Sequence, residues 1–183
     1  MNATKDENGN ARRAEINSAP TGETATAAVG AGFTPARPHC QMIRYVTDKE
    51  QPIDWEEAAC VIERAPLGKR RRNPEQLRRA FAASYAVVYA FDDDRLIGLT
   101  RALCDGEYQA AVYDVVLLPE YQGRGIGREL VQRCLDQLPV DNVILYAVRG
   151  REGFYKRCGF RKMLTAMAIL NPLISDPASG YLE

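Results

Sequence analysis

The sequence predicts an α/β (α+β) domain, a mixed sheet flanked by helices, on three observations. Residues 111–119 form an apolar, β-branched run, residues 122–127 a glycine turn, and residues 128–138 place Leu130, Val131, Cys134, Leu135 and Leu138 at helical spacing. That order is strand, turn, helix. Residues 85–91 and 96–103 are apolar and β-prone around the turn at 92–95, and read as an antiparallel hairpin. Residues 142–148 follow the strand–helix crossover, which points to a strand pairing in parallel.

The remaining elements follow in order. Residues 41–46 have the composition of a short strand. Asp54 is suited to cap a first helix, with Trp55, Ala58, Ala59 and Ile62 on one face and an end near residues 66–68. Asn73-Pro74 offers a cap and a first-turn proline for a second helix carrying Leu77, Ala80, Phe81 and Ser84. Between the two helices, Lys69-Arg70-Arg71-Arg72 reads as a solvated loop; the functional alternative is a wall that attracts an acidic acceptor or an anionic part of a ligand. Residues 151–159 read as a short helix closed by a glycine, and residues 160–170 as a last strand or hairpin arm.

Length and composition set the limits. The 183 residues suit one domain with a tail: residues 1–38, rich in small and polar residues, are expected to be disordered, and residues 39–183 to fold. Lys+Arg and Asp+Glu both number 24, so no overall basic field draws the chain to nucleic acid or membrane. No apolar run approaches the roughly 20 residues of a membrane helix. The five cysteines are scattered without a C-x-x-C pair, and the one histidine, His39, has no partner histidine. Neither a disulfide framework nor a metal site is expected, and a reducing, cytoplasmic setting fits. Cys158 reads as a small buried apolar residue rather than a nucleophile.

The chemistry concentrates at the glycine turn. A helix start leaves backbone N–H groups without partners and carries partial positive charge. Glycines let those groups converge on a phosphate, and Arg124 and Arg128 add charge. Gly127 is followed by Arg128 and Glu129, so a P-loop is excluded, and the dinucleotide fingerprint fails because Arg128 stands where its third glycine would be. What remains is Gln-x-x-Gly-x-Gly after a strand ending at Pro119, with Tyr121 just before it. This resembles the coenzyme A pyrophosphate loop of the GCN5-related N-acetyltransferase (GNAT) family. A second stretch, residues 153–160, resembles the family's Phe-Tyr helix closing on Gly-Phe. The two motifs stand in the family's order. In detail the match is similar to the serotonin N-acetyltransferase-like branch.

The resemblance covers residues 41–170 and implies a GNAT fold: a mixed sheet of six to seven strands, splayed between strands 4 and 5 and flanked by about four helices. It implies acetyl-CoA as co-substrate, with no metal. Val116, Leu117 and Leu118 would meet the pantetheine arm. Gly123, Arg124, Gly125, Ile126, Gly127 and Arg128 would take the pyrophosphate, with Gln122, Phe154 and Tyr155 completing the coenzyme site. A β-bulge would aim a backbone N–H at the thioester carbonyl. Tyr155 would donate a proton or hydrogen bond to the departing thiolate. Asp114, the only carboxylate inside the apolar strand, is costly to bury without a purpose or a partner. It is read as a base acting through water, as a group that binds the substrate ammonium, or as a paired structural carboxylate. Tyr113 would line the acceptor pocket beside it. The expected activity is direct acetyl transfer to the primary amine of a small molecule, of arylalkylamine or polyamine type, in a ternary complex. A protein lysine or N-terminal acetyltransferase and a non-catalytic CoA-binding module are the alternatives. The chain is expected to act as a monomer or homodimer.

Overall fold

The computed structural model describes residues 42–65 and 71–170. The tail at 1–38, His39, the turn at 66–68 and Lys69-Arg70 lie outside the described residues, as do residues 171–183. Five strands and four α-helices occur in the order β1 (Ile43–Val46), α1 (Trp55–Arg64), α2 (Pro74–Ala82), β2 (Ala86–Asp92), β3 (Arg95–Cys104), β4 (Ala110–Leu117), α3 (Ile126–Leu135), β5 (Val143–Ile144) and α4 (Glu152–Arg157). A single 3₁₀ turn, Pro119–Tyr121, leads from β4 towards α3.

The caps act as their chemistry requires. The Asp54 carboxylate accepts from the N–H groups of Glu56 and Glu57 at 2.9 and 3.2 Å. The Asn73 side chain accepts from Gln76 N–H at 3.0 Å, with Pro74 opening α2. Each such cap contributes about 1 kcal/mol. Trp55 of α1, Phe81 of α2 and Tyr89 of β2 meet with ring centroids 5.4–6.5 Å apart and anchor the helix pair on the sheet.

The sheet order is β1-β2-β3-β4-β5, antiparallel up to β4 and parallel between β4 and β5. Residues 86–91 of β2 and 96–100 of β3 are buried at every position, which requires cover on both faces. The β4–β5 ladder holds only Ala110↔Val143 and Ala111↔Ile144. β4 continues for six residues beyond it, while among the described residues no ladder continues on the β5 side. The expected splay between strands 4 and 5 is therefore present.

Three expectations are corrected. The sheet has five strands among the described residues, not six to seven. Residues 160–170 form no strand: Met163, Leu164, Met167 and Ile169 are exposed, and a β-prone run without a partner ladder or a packed face has nothing to hold it extended in a sheet. The long helix starts at Ile126 and ends at Leu135 rather than spanning 128–138. Gly125 lets the chain enter the helix at once, and Pro139 disfavours helical backbone at Leu138.

Candidate active site

The strand–turn–helix unit builds the site. Gly125 is the N-cap of α3 with φ 83°, and among the described residues no side chain caps the helix. The first amides of α3 therefore point out of the helix start without a side-chain acceptor. Gly123 has φ 76°, so both turn glycines sit in the left-handed region that favours glycine. A Cβ added at either would meet no atom of the described residues within 4 Å. Bare backbone thus faces open space at the mouth of a ten-residue helix, the arrangement that suits an anion.

This turn opens onto a cleft of about 410 Å³, within the size range of small-ligand sites. Val115, Val116 and Leu117 of β4 line it on one side and Val148, beyond β5, on the other. The turn contributes Gln122, Gly123, Gly125, Gly127 and Arg128, and the α4 region contributes Arg151, Phe154, Tyr155, Arg157 and Cys158. Three consecutive residues of one strand reach the cleft. Side chains alternate along a strand, so β4 presents its unpaired backbone edge there rather than one face. The cleft is the gap left where β5 departs.

The edge of β4 is also irregular. The ladder pairs Leu99 with Val116 and Arg101 with Tyr113, so β4 carries one residue more than β3 between those pairs. Asp114 lies within that bulge with φ 53°, a left-handed conformation uncommon for any residue but glycine. Its carboxylate is 6% exposed. Arg101 Nε donates to Oδ2 at 2.5 Å, and Arg72 Nη1 stands 2.6 Å from Oδ1. Arg101 itself lies over the Tyr113 ring at 5.1 Å, and Tyr113 meets Tyr146 edge-on at 6.1 Å.

α4 closes the site. Phe160 N–H donates to Tyr155 O and Gly159 N–H to Lys156 O, at 3.0 and 3.1 Å, with Gly159 at φ 95°. This pair of bonds is a Schellman ending, and it fixes the short helix that carries Phe154 and Tyr155. The two rings meet edge-on at 4.9 Å. Burial pushes the Cys158 thiol upward, against the opposing pull of Arg128 and Arg157, so it stays protonated near neutrality.

Residues 50–160 match the model of the GNAT acetyltransferase family. The chain belongs to the GNAT family. It is 39% identical over 104 residues to serotonin N-acetyltransferase 2, chloroplastic, of Oryza sativa subsp. japonica, covering 52% of each chain. It is 38% identical over 72 residues to a histone acetyltransferase of Glycine max, covering 38% of this chain and 31% of that protein. The chain thus spans about half or less of these relatives. A solved GNAT-family acetyltransferase from Streptococcus pneumoniae superposes with a TM-score of 0.60 at 27% identity, over 72% of this chain and 99% of that one.

Within this GNAT domain the sequence-expected residues separate. Val116, Leu117, Gln122, Gly123, Gly125, Gly127, Arg128, Phe154 and Tyr155 all line the cleft. Leu118 does not: it is buried, and its N–H donates to Ile97 O at 2.9 Å. Ile126 is likewise buried in the core. Arg124 stands outside the lining, with its guanidinium 5.4 Å from the Tyr121 ring centre. Tyr113 and Asp114 lie next to the lining strand segment but not in it. Sequence reasoning missed Arg151 and Arg157, which line the cleft beside Arg128. Only their spacing around the Phe-Tyr motif could have signalled them. It also missed the pairing of Arg72 with Asp114, two residues 42 positions apart in sequence. Arg71, next to Arg72, pairs with Glu56 at 2.7 Å. Among the described residues no group of three or more His, Cys, Asp or Glu stands together as a metal site. No described helix is long and apolar enough to cross a membrane.

Proposed function

We propose that this GNAT domain transfers an acetyl group from acetyl-CoA to the primary amine of a small molecule, of arylalkylamine or polyamine type, by direct attack in a ternary complex. One observation carries the reading: the uncapped glycine mouth of α3 opens into the same cleft as the unpaired edge of β4 and Tyr155. Bound acetyl-CoA supplies the thioester. The residues present fit it. The open space over Gly123 and Gly125 accepts a diphosphate, and Arg128, Arg151 and Arg157 add charge for its phosphates. The β4 edge from Val115 to Leu117 offers backbone groups to the pantetheine amides.

A primary amine of pKa about 10.4 is mostly protonated near neutrality, so it gives up a proton to water before attack. A backbone N–H of the bulged edge of β4 polarises the thioester carbonyl. The Tyr155 hydroxyl donates to the departing sulfur. The side chain of Tyr113, against Tyr146, forms an aromatic wall next to the cleft, which supports an acceptor with an apolar or aromatic body. The reducing, cytoplasmic setting expected from the scatter of the cysteines in the sequence is part of the same proposal.

The test is free-thiol release from acetyl-CoA with a panel of arylalkylamines, polyamines and lysine-bearing peptides. Release with small amines is expected. Release with peptides alone would reassign the acceptor to protein, in keeping with the name of the Glycine max relative. Coenzyme binding without release for any acceptor would leave a binding module.

A further inference from the structure

Asp114 sits at a juncture that acetyl transfer alone does not explain. It is one of two described residues other than glycine with positive φ, and the other, Asp93, belongs to the β2–β3 turn. A left-handed conformation in mid-strand is strained for a residue that carries a side chain. A carboxylate 6% exposed is costly unless paired. Here both requirements are met by one cluster. Arg101 of β3 holds Oδ2 and Arg72, immediately before the Asn73 cap of α2, holds Oδ1. Arg101 is itself fixed between Tyr113 and Phe81, at 5.1 and 5.9 Å, and its Nη1 donates to Ser84 Oγ at 3.5 Å. Thr100 Oγ1 donates to Tyr113 O at 3.2 Å, so the peptide just before Asp114 is tied to β3 as well.

The three residues that follow Asp114 are the ones whose edge lines the cleft, while Asp114 is absent from that lining. We propose that Asp114 is a positioning residue: its two arginine pairs hold the bulge of β4 in its left-handed turn, and the bulge sets the free backbone edge of the Val115–Leu117 segment towards the thioester. The inference rests on the acetyl-transfer reading above. It assigns the carboxylate to holding the strand rather than to taking the amine's proton. Aspartate suits the task because it tolerates the left-handed region and carries the charge that both arginines need.

The experiment compares wild type with Asp114→Asn, Asp114→Ala and Arg72→Gln. It reads kcat, the acidic limb of the kcat/KM profile, and amide hydrogen exchange at Val115–Leu117. Asparagine tolerates φ near 53° and still offers an oxygen to an arginine, so Asp114→Asn is expected to keep kcat within about tenfold. Asp114→Ala is expected to lose about a hundredfold, because a misplaced edge misaligns the carbonyl. The acidic limb stays in place in both, and exchange at Val115–Leu117 speeds up in Asp114→Ala and in Arg72→Gln. Arg72 is about half exposed, so the Gln variant tests the clamp even where Asp114→Ala fails to fold. Loss of a hundredfold or more in Asp114→Asn, together with loss of the acidic limb, would make Asp114 the base and overturn the proposal. Unchanged exchange in Arg72→Gln would overturn it too. Were wild type to release no thiol, the transfer reading would fail, while the exchange comparison would still decide the clamp.

Discussion

Gln122 Nε2 donates to Leu117 O at 3.1 Å, tying the glycine turn back to the end of the strand it leaves. The bond holds two parts of the cleft, the β4 edge and the mouth of α3, in one frame. Its role is to fix backbone, since a side-chain amide spent on the protein has less left for a ligand. Gln122→Ala is expected to raise the KM for acetyl-CoA about three- to tenfold with kcat within about twofold, the pattern of lost uniform binding. Initial rates at varied acetyl-CoA check this. A fall in kcat alone would show that the tie matters to chemistry instead.

Gly125 combines φ 83° with open space where a Cβ would stand. Gly125→Asp places a strained, negative side chain where phosphate would sit, and is expected to raise the acetyl-CoA KM by more than about tenfold. Gly125→Ala separates the two causes, because it adds the strain without the charge. Calorimetric titration with coenzyme A on both variants measures the difference. Equal affinities in wild type and Gly125→Asp would move the phosphate site away from this turn.

Tyr155 lines the cleft from a helix fixed by the Schellman ending at Gly159. Tyr155→Phe keeps the ring and its contacts with Phe154 and Phe160, at 4.9 and 6.1 Å, and removes only the hydroxyl. It is expected to lower kcat by about a hundredfold while coenzyme A binding changes less than about threefold. Stopped-flow thiol release and equilibrium binding separate the two. Parallel losses would place the hydroxyl in coenzyme binding.

Much of this was legible in the sequence because local chemistry decides it. The Asp54 and Asn73 caps, the hairpin around residues 92–95 and the glycine mouth of α3 each follow from residue type at fixed spacing, and each stands where expected. Splay and bulge came through resemblance, not from composition. Misses arose where tertiary partners decide. Residues 160–170 carry strand-like composition but find no ladder, and composition cannot report a missing partner. Arg72 reads as one more cation in a basic run, and only the fold brings it to Asp114. Leu118, at the end of the apolar strand run, and Ile126, in the glycine turn, point into the core because a strand and a helix each bury one side.

Gly98 faces Leu117 in the β3–β4 ladder, and a Cβ there would lie 2.8 Å from Val116 O and 3.0 Å from the Leu130 methyl. Backbone oxygen cannot step aside as a flexible side chain can, so the strands and α3 would have to separate. Gly98→Ala is expected to cost about 1–3 kcal/mol, the usual penalty of overpacking. Thermal unfolding would then fall by about 2–4 °C for each kcal/mol. Because Val116 lines the cleft, acetyl-CoA affinity should weaken in the same variant. An unchanged melting temperature would show that the sheet relaxes freely at this point.

Cys134, fully buried on α3, gives the fold a pH dependence of defined sign. Burial pushes its thiol from 9.0 up to about 12, against a small opposing pull from Thr100. Below the unfolded value both states hold the proton, and the contribution is complete. As pH rises above it, the unfolded chain gives up a proton that the folded chain keeps, so stability falls until the folded value is passed. The slope from one such thiol reaches at most about 1.4 kcal/mol per pH unit. Cys158 is raised too and adds in the same window. Tyr45, Tyr89 and Tyr121 are raised from 10.0, by burial in the first two and chiefly by the hydrogen bond to Asp92 in Tyr121, so they join only at higher pH. Urea unfolding from about pH 8 to about pH 10 should therefore show wild type losing stability steadily, with a shallower loss in Cys134→Ala. Identical slopes in the two proteins would mean that the buried thiol does not hold its proton in the folded state.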